Sequence, residues 1–260
     1  MIGLFEDKDS RLALAANLPD EARNRRSGEG LFRRVLREFV FAERLNTNLW
    51  ESEGGTRDLT RAPSQEGARD LTRALSWYLV QDVYDAPGRW DQEPDGLDSV
   101  ATVQGRQLKD HERVIGNDTR WGAFTRWAPY LGFAWLHEVK GKRMLVPDPS
   151  AAIRDTLSQV FDQEAVLILP AFVERLASRL PVLDGGTYRI EVEKRINRSQ
   201  LRIYDEDSVS TSLAHALLSL QDEGKIRLEN RADAGRKIRF PNQRPDESVF
   251  SHVAVVGPPK

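Results

Sequence analysis

The stretch GFAWLHEVKGKRMLV, residues 132–146, decides the fold: it holds a glycine, a short apolar strand, a charged turn and a second strand. The same arrangement recurs at residues 3–14 (GLFEDKDSRLAL) and at residues 224–240 (GKIRLENRADAGRKIRF). The second and third copies each follow an amphipathic helix that is predicted to end at the glycine. In a winged helix, a glycine ends the helix and the chain then continues as a β-hairpin. The predicted fold class is therefore α+β, mainly helical, with tandem winged-helix domains, each a helix-turn-helix with a β-hairpin wing.

The three copies also predict the domain organisation. Residues 1–28 are expected to form a wing-like hairpin, the remnant of an N-terminal winged helix, because no helices precede the first copy. Its helices would then be encoded upstream. Residues 29–149 and 150–241 are expected to form two winged-helix domains, followed by a C-terminal arm over 242–260. Within the last domain, alternating apolar residues over 187–193 predict a strand.

Composition narrows the possible classes of protein. The chain has 260 residues, of which 40% are apolar and 30% charged, enough for two or three small domains. No run approaches the roughly 18 apolar residues of a membrane span, and no secretion signal is present. The absence of cysteine excludes disulfides and thiolate metal sites. We therefore expect a cytoplasmic protein without membrane contact.

The formal net charge of −2 means that any contact with nucleic acid must come from local basic patches. In a helix-turn-helix the second helix enters the major groove, so the exposed cations of that helix and of the wing are the candidates. In the middle domain these candidate residues are Arg120, Arg126, Lys140, Lys142 and Arg143. The alternative is that these charges are a solvated face and that Trp121, Trp127 and Trp135 belong to the core.

The corresponding helix of the last domain is flanked by acidic residues, Asp205-Glu206-Asp207 before it and Asp222-Glu223 at its end. Acidic groups would repel a phosphate backbone, so we expect this helix to face protein or solvent. A basic segment precedes it, and its candidate nucleic-acid-binding residues are Arg195, Arg198 and Arg202. An acidic protein partner is an equal alternative for this segment.

A near-perfect duplication lies in the middle domain. The octapeptide GTRDLTRA, residues 55–62, returns twelve residues later as GARDLTRA, residues 67–74. Two copies of this length are too few for a repeat fold. The second copy runs into Leu75 and Leu79 at helical spacing and is predicted to be helical, whereas the first ends at Pro63 and is expected in a surface loop.

The sequence offers few candidate catalytic residues. The histidines lack a metal-binding spacing, and no phosphate-binding glycine loop or nucleophile elbow is present. The one suggestive pattern is Glu138-Val139-Lys140 with Asp95 upstream, since a metal-dependent nuclease can use an Asp and a Glu-x-Lys. A wing turn explains the lysine equally well. No catalytic residue, metal or cofactor is predicted, and a nuclease is kept as a remote alternative.

Two stretches carry a resemblance to a known family. They are residues 117–135 (NDTRWGAFTRWAPYLGFAW) and 212–228 (SLAHALLSLQDEGKIRL), the latter followed by Arg231-Ala-Asp-Ala234. Both are similar to DpdG, a bacterial family encoded with the 7-deazapurine DNA-modification and restriction cluster, over about residues 30–240. The resemblance implies an accessory role beside helicase or nuclease subunits. It implies no catalytic residues, because the shared motifs are packing and wing residues.

These observations lead to one hypothesis and its rivals. The leading hypothesis is a non-catalytic DNA-binding or scaffolding subunit of a bacterial DNA-modification or phage-defence complex, with double-stranded DNA and other subunits as partners. The alternative is a structural winged-helix module that mediates protein–protein contact or homodimerisation without DNA.

Overall fold

A computed structural model describes residues 5–8, 11–14, 25–47, 49–50, 63–90, 98–109, 112–139, 142–201, 207–241, 243 and 248–257. For residues 5–8, 11–14, 25–27, 63–67, 139 and 142–143 it describes the backbone alone. This part of the chain is α+β, with helices and small antiparallel sheets.

The described elements are numbered in chain order. The helices are α1 (Arg25–Val40), α2 (Glu43–Asn46), α3 (Pro63–Tyr78), α4 (Val100–Gln107), α5 (Asp118–Tyr130), α6 (Ser150–Phe161), α7 (Leu169–Arg179), α8 (Thr187–Lys194) and α9 (Thr211–Asp222). The strands are β1 (Phe5–Lys8), β2 (Arg11–Leu14), β3 (Ala134–Val139), β4 (Lys142–Pro147), β5 (Val166–Ile168), β6 (Ile226–Glu229), β7 (Ile238–Arg239), β8 (Val249–Phe250) and β9 (His252–Val255).

Helix α3 is central to the packing of the described helices. It packs against α1, α2, α5 and α8, and near its end it buries Leu75, Trp77 and Tyr78 completely. The Tyr78 hydroxyl donates a 2.6 Å hydrogen bond to the Leu145 carbonyl oxygen in β4, which ties the helix to the hairpin. The hydrophobic core continues without a break through α6, α7, α9 and β9. The two predicted winged-helix units therefore share one core.

Two of the three predicted hairpins are confirmed. Strands β1 and β2 pair antiparallel, and so do β3 and β4. The third is wrong, because β6 pairs with β9 and β7 pairs with β8. In the observed register Leu228 lies opposite the fully buried Val253, and Ile238 of the segment 236–240 lies opposite Phe250 instead.

The glycines at the ends of α5 and α9 take the positions that the sequence predicts. Gly132 and Gly224 have φ values of 84° and 65°, the left-handed region in which glycine avoids a steric penalty. Each therefore ends its helix and directs the chain into the following strand.

A three-stranded sheet lies in the C-terminal half, with strand order β5-β9-β6. Strand β5 lies between α6 and α7 along the chain, and β6 follows α9. The segment 242–260, expected to form an arm, thus contributes the central strand of this sheet.

The predicted strand over 187–193 is wrong, since these residues form α8. Tyr188 and Val192 are four positions apart. An even spacing places both side chains on one face of a strand, and a spacing of four also places both on one face of a helix. In the helix both are buried, while Ile190, which a strand would have placed beside them, is 42% exposed.

Candidate functional site

Helix α5 presents two of the predicted nucleic-acid-binding residues, Arg120 and Arg126, and both are exposed. The Nη1 atom of Arg120 donates a 2.8 Å hydrogen bond to Oδ2 of Asp70 on α3, and Asp70 also pairs with Arg73. Arg126 forms no ion pair with any residue that the structure describes. Arg120 is therefore held by a carboxylate, whereas Arg126 has no such partner among the described residues.

The structure describes only part of the predicted wing site. Lys140 lies outside the described residues, and Lys142 and Arg143 are described as backbone positions in β4. In the antiparallel register Lys142 stands opposite Val139, and Arg143 stands opposite Glu138. The hairpin that would carry the basic tip is thus present, and the use of its lysines and arginine stays a prediction.

Arg195 in the predicted basic segment is held by neighbouring side chains. Its guanidinium carbon lies 5.4 Å from the centroid of the Trp50 ring, and its Nη1 lies 2.9 Å from Oε1 of Glu112. A cation–π contact and an ion pair together fix this side chain within the fold. Arg198 is exposed in the following turn, and Arg202 lies outside the described residues.

The first turn of α9 is covered by the chain itself. Thr211 and Ser212 are buried, and the Ser212 hydroxyl donates a 2.6 Å hydrogen bond to the Leu79 carbonyl oxygen. The Val83 amide donates to Oγ1 of Thr211 at 3.1 Å. The segment that follows α3 therefore covers the N-terminal end of α9.

A groove that sequence reasoning missed lies between α1 and α5, with α3 contributing a third wall. It encloses about 520 Å³, within the range of natural ligand sites. We call it the aromatic groove and define it by six of its lining residues, Leu36, Phe39, Leu71, Ala74, Phe124 and Trp127. Its lining is predominantly apolar, which favours an apolar occupant.

Exposed aromatic side chains continue along the rim of the aromatic groove. Tyr130 makes edge-to-face contacts with Phe32 on α1 and with Trp127 on its own helix, at centroid distances of 6.5 Å and 6.1 Å. Trp127 is 46% exposed and Phe39 is 41% exposed. Contiguous exposed apolar surface of this kind marks an interaction site in a folded protein.

The alternative that all three tryptophans near α5 belong to the core is wrong for two of them. Trp121 is buried and stacks on Phe124, as expected of a core residue. Trp127 lies on the groove, and Trp135 on β3 is 54% exposed. For Trp121 and Trp127 the distinction depends on which face of α5 meets α3, and the local sequence pattern does not specify that packing.

The second copy of the duplicated octapeptide builds one wall of the aromatic groove. Residues 67–74 lie in α3, as predicted, and Asp70, Leu71 and Ala74 line the groove. The first copy, residues 55–62, lies outside the described residues. The duplication was the nearest sequence signal to this site, although it could not reveal that α1 and α5 would complete it.

The model of the DpdG-like family matches residues 1–234, which is most of the chain. This chain belongs to the DpdG-like family. The resemblance carried by residues 117–135 and 212–228 is thereby confirmed. No curated protein and no solved structure matches the chain. The matched region of this DpdG-like protein includes the aromatic groove, the β3–β4 hairpin and α9, so all three are features of a family member.

The described residues of this DpdG-like protein contain no group of three histidine, aspartate or glutamate side chains that could hold a metal ion. Glu138 is exposed on β3, whereas the other groups of the nuclease pattern, Lys140 and Asp95, lie outside the described residues. No described helix is long and apolar enough to cross a membrane.

Proposed function

We propose that this protein is a cytoplasmic, non-catalytic scaffolding subunit of a DNA-modification and phage-defence complex, built from winged-helix domains. Membership of the DpdG-like family supports this proposal, because it indicates involvement in a DpdG-type modification system. The scaffold would act by binding other subunits of that system through its exposed aromatic surface.

The order of the elements supports the winged-helix part of the proposal. A winged helix has a short strand after its first helix, and its last strand pairs both with that strand and with the strand after its third helix. In the C-terminal half α6, β5, α7, α9, β6 and β9 follow this order, with α8 inserted, and β9 lies between β5 and β6. In the middle of the chain α3, α4 and α5 precede the β3–β4 hairpin in the same way, without the short strand.

The observation that carries the scaffolding role is the chemistry of the exposed face of α5. In the proposed winged-helix arrangement this helix would be the DNA-reading helix, yet its exposed face joins α1 in a groove lined by Phe39, Phe124 and Trp127. Base edges are read mainly by polar side chains, whereas protein interfaces are enriched in aromatic residues. Tryptophan and tyrosine are also the residues that most often dominate binding energy between proteins.

Co-expression with the other subunits of the modification system tests this proposal. We expect the full-length chain to co-elute with at least one subunit in size-exclusion chromatography, and the complex to dissociate into smaller species when this chain is omitted. A chain that elutes alone, from a complex whose size does not depend on it, would contradict the scaffolding role.

Direct DNA binding by the middle unit is the second candidate function. The exposed charge of Arg126, which forms no ion pair in the described part of the chain, favours it, together with the hairpin that follows α5. The predicted contacts are Arg120, Arg126, Lys140, Lys142 and Arg143, with Arg195, Arg198 and Arg202 as a second basic segment. In an electrophoretic shift assay at low and moderate salt, duplex binding that is lost when Lys140, Lys142 and Arg143 become alanine would support it. The absence of any shift would remove it.

A further inference from the structure

The shape of the aromatic groove matches one class of partner element. Two helices, α1 and α5, form its sides, and their apolar residues Leu36, Phe39 and Trp127 face a common space of about 520 Å³. Grooves between helices typically accept the apolar face of a third helix, through anchors at i, i+3, i+4 and i+7. The exposed aromatic side chains at the rim extend the surface that such a helix would cover.

Two cations border the groove without a carboxylate partner among the described residues. The Arg44 guanidinium lies over the ring of Phe39, at 5.5 Å from its centroid. Arg126 is exposed on α5 one turn before Tyr130, so both side chains lie on the same face of the helix, at the rim of the groove. Neither arginine forms an ion pair within the described part of the chain. Arg44 thus lies on a residue of the groove and Arg126 beside a residue of its rim, where an acidic group on a bound helix could reach them.

A third positive charge lies at one end of the groove. Asp70 and Arg120 both line it, and the single carboxylate of Asp70 is shared between Arg120 and Arg73. One carboxylate divided between two guanidinium groups compensates the charge of Arg120 only in part, although Arg73 itself lies over the Trp50 ring and does not line the groove. The border of the groove is therefore positive, whereas its interior is apolar.

We infer that the aromatic groove is the docking site for an acidic amphipathic helix of a partner subunit. The apolar face of that helix fills the space between α1 and α5, and its glutamates or aspartates pair with Arg44, Arg126 and Arg120. Arginine is suited to this role because its planar guanidinium binds carboxylates in a bidentate geometry. This inference rests on the proposed scaffolding function and specifies the chemistry of the partner.

The charge distribution argues against a second copy of this chain as the occupant. A groove-to-groove dimer would bring the arginines at the border of one copy toward the same arginines of the other. Like charges facing each other across an interface oppose binding, whereas a negatively charged partner gains both attraction and faster association.

A pair of helical peptides tests the inference on the full-length chain. Both are about 16 residues long with leucines at i, i+3, i+4 and i+7, and they differ only in carrying glutamates or lysines on the polar face. We expect the acidic peptide to bind at least about tenfold more tightly at about 50 mM salt, with the difference shrinking at high salt. Fluorescence anisotropy of the labelled peptides measures both affinities.

Single substitutions test whether the acidic peptide binds in the aromatic groove. Trp127→Ala and Phe39→Ala should each weaken the acidic peptide about tenfold or more, because both side chains line the groove. Arg126→Glu should reduce the preference for the acidic peptide. Trp135→Ala removes an exposed tryptophan from β3, outside the groove, and should leave binding unchanged. Circular dichroism of each variant verifies that the fold is kept.

Three results would overturn the inference: no saturable binding of either peptide up to about 1 mM, equal or tighter binding of the basic peptide, or equal loss of binding in Trp135→Ala. Tighter binding of a single-stranded oligonucleotide that depends on Trp127 would also overturn it, since stacked bases would then be the occupant. The peptide assay needs only the isolated chain. If neither peptide binds but the chain still co-assembles with other subunits, only the groove inference is contradicted. If the acidic peptide binds but the chain does not co-assemble, only the scaffolding function is contradicted.

Discussion

Arg37 on α1 and Asp155 on α6 form an ion pair across 118 residues of chain, with 3.1 Å between Nη2 and Oδ2. Arg37 is only 2% exposed, and its Nη1 also donates a 2.8 Å hydrogen bond to the Leu131 carbonyl oxygen. Burial lowers the pKa of Arg37, and the charge of Asp155 opposes that shift. This pair therefore ties one side of the aromatic groove to the C-terminal half of the fold.

We predict that Asp155→Ala lowers the free energy of unfolding by about 3 kcal/mol or more, because it leaves a buried guanidinium without its counter-charge. Urea denaturation measures the change. Glu223→Gln is a matched control, since it breaks an exposed pair with Arg154 on the same helix as Asp155. The control should change the free energy by less than about 1 kcal/mol. Equal effects of the two substitutions would contradict this account of Asp155.

Alanine at the two helix-ending glycines should have unequal effects. Both have positive φ, so each substitution should cost about 1 kcal/mol in backbone strain. At Gly132 a Cβ atom would also lie 2.7 Å from the Ala152 amide nitrogen, whereas at Gly224 it would meet open space. We expect Gly132→Ala to lower the free energy of unfolding by about 2 kcal/mol more than Gly224→Ala. Thermal or urea unfolding would disprove this if the two variants were equally stable.

Tyr78 should make stability depend on pH in the alkaline range. Complete burial raises the pKa of Tyr78 well above the usual tyrosine value. A raised folded-state pKa means that the contribution to stability is complete below the unfolded pKa of about 10 and is lost as the pH rises above it. Above about pH 10, wild-type stability should fall more steeply than that of Tyr78→Phe, by up to about 1.4 kcal/mol per pH unit. Parallel pH profiles of the two proteins would contradict this prediction.

Replacing each of the two tryptophans of α5 by alanine should change the free energy of unfolding by different amounts. Trp121 is 7% exposed and packs on Tyr78 and Phe124, so Trp121→Ala should lower the free energy of unfolding by about 3 kcal/mol or more. Trp127 is half exposed, and Trp127→Ala should change it by less than about 1 kcal/mol. Chemical denaturation measures both values. A large loss for Trp127→Ala would mean that this residue serves the fold rather than binding.

Local patterns in the sequence predicted the elements that are built from neighbouring residues. The β3–β4 hairpin follows from a strand, a charged turn and a strand, and the end of α5 follows from Gly132. The pairing of β6 could not be predicted in this way, because its partner β9 begins 23 residues beyond its end. The helix α8 was missed because its spacing satisfied both a strand and a helix.

The aromatic groove could not be predicted from the sequence for a related reason. Phe39, Leu71 and Trp127 come from three helices, and each occurs in a pattern that is equally typical of a core face. They line a common groove because of how α1, α3 and α5 pack, so the site is visible only in three dimensions. The basic residues at its border, Arg120 and Arg126, were predicted as a binding surface from helix position alone.

Site-specific photo-cross-linking in the assembled complex would identify the occupant of the aromatic groove. A photoreactive phenylalanine derivative replaces Tyr130 at the rim of the aromatic groove, or Tyr84, which is 72% exposed and lies outside the groove, as the control. We predict that position 130, and not position 84, cross-links to an acidic amphipathic helix of another subunit, identified by mass spectrometry. Cross-links from position 130 to DNA, or a complex in which only position 84 reacts with another subunit, would contradict it.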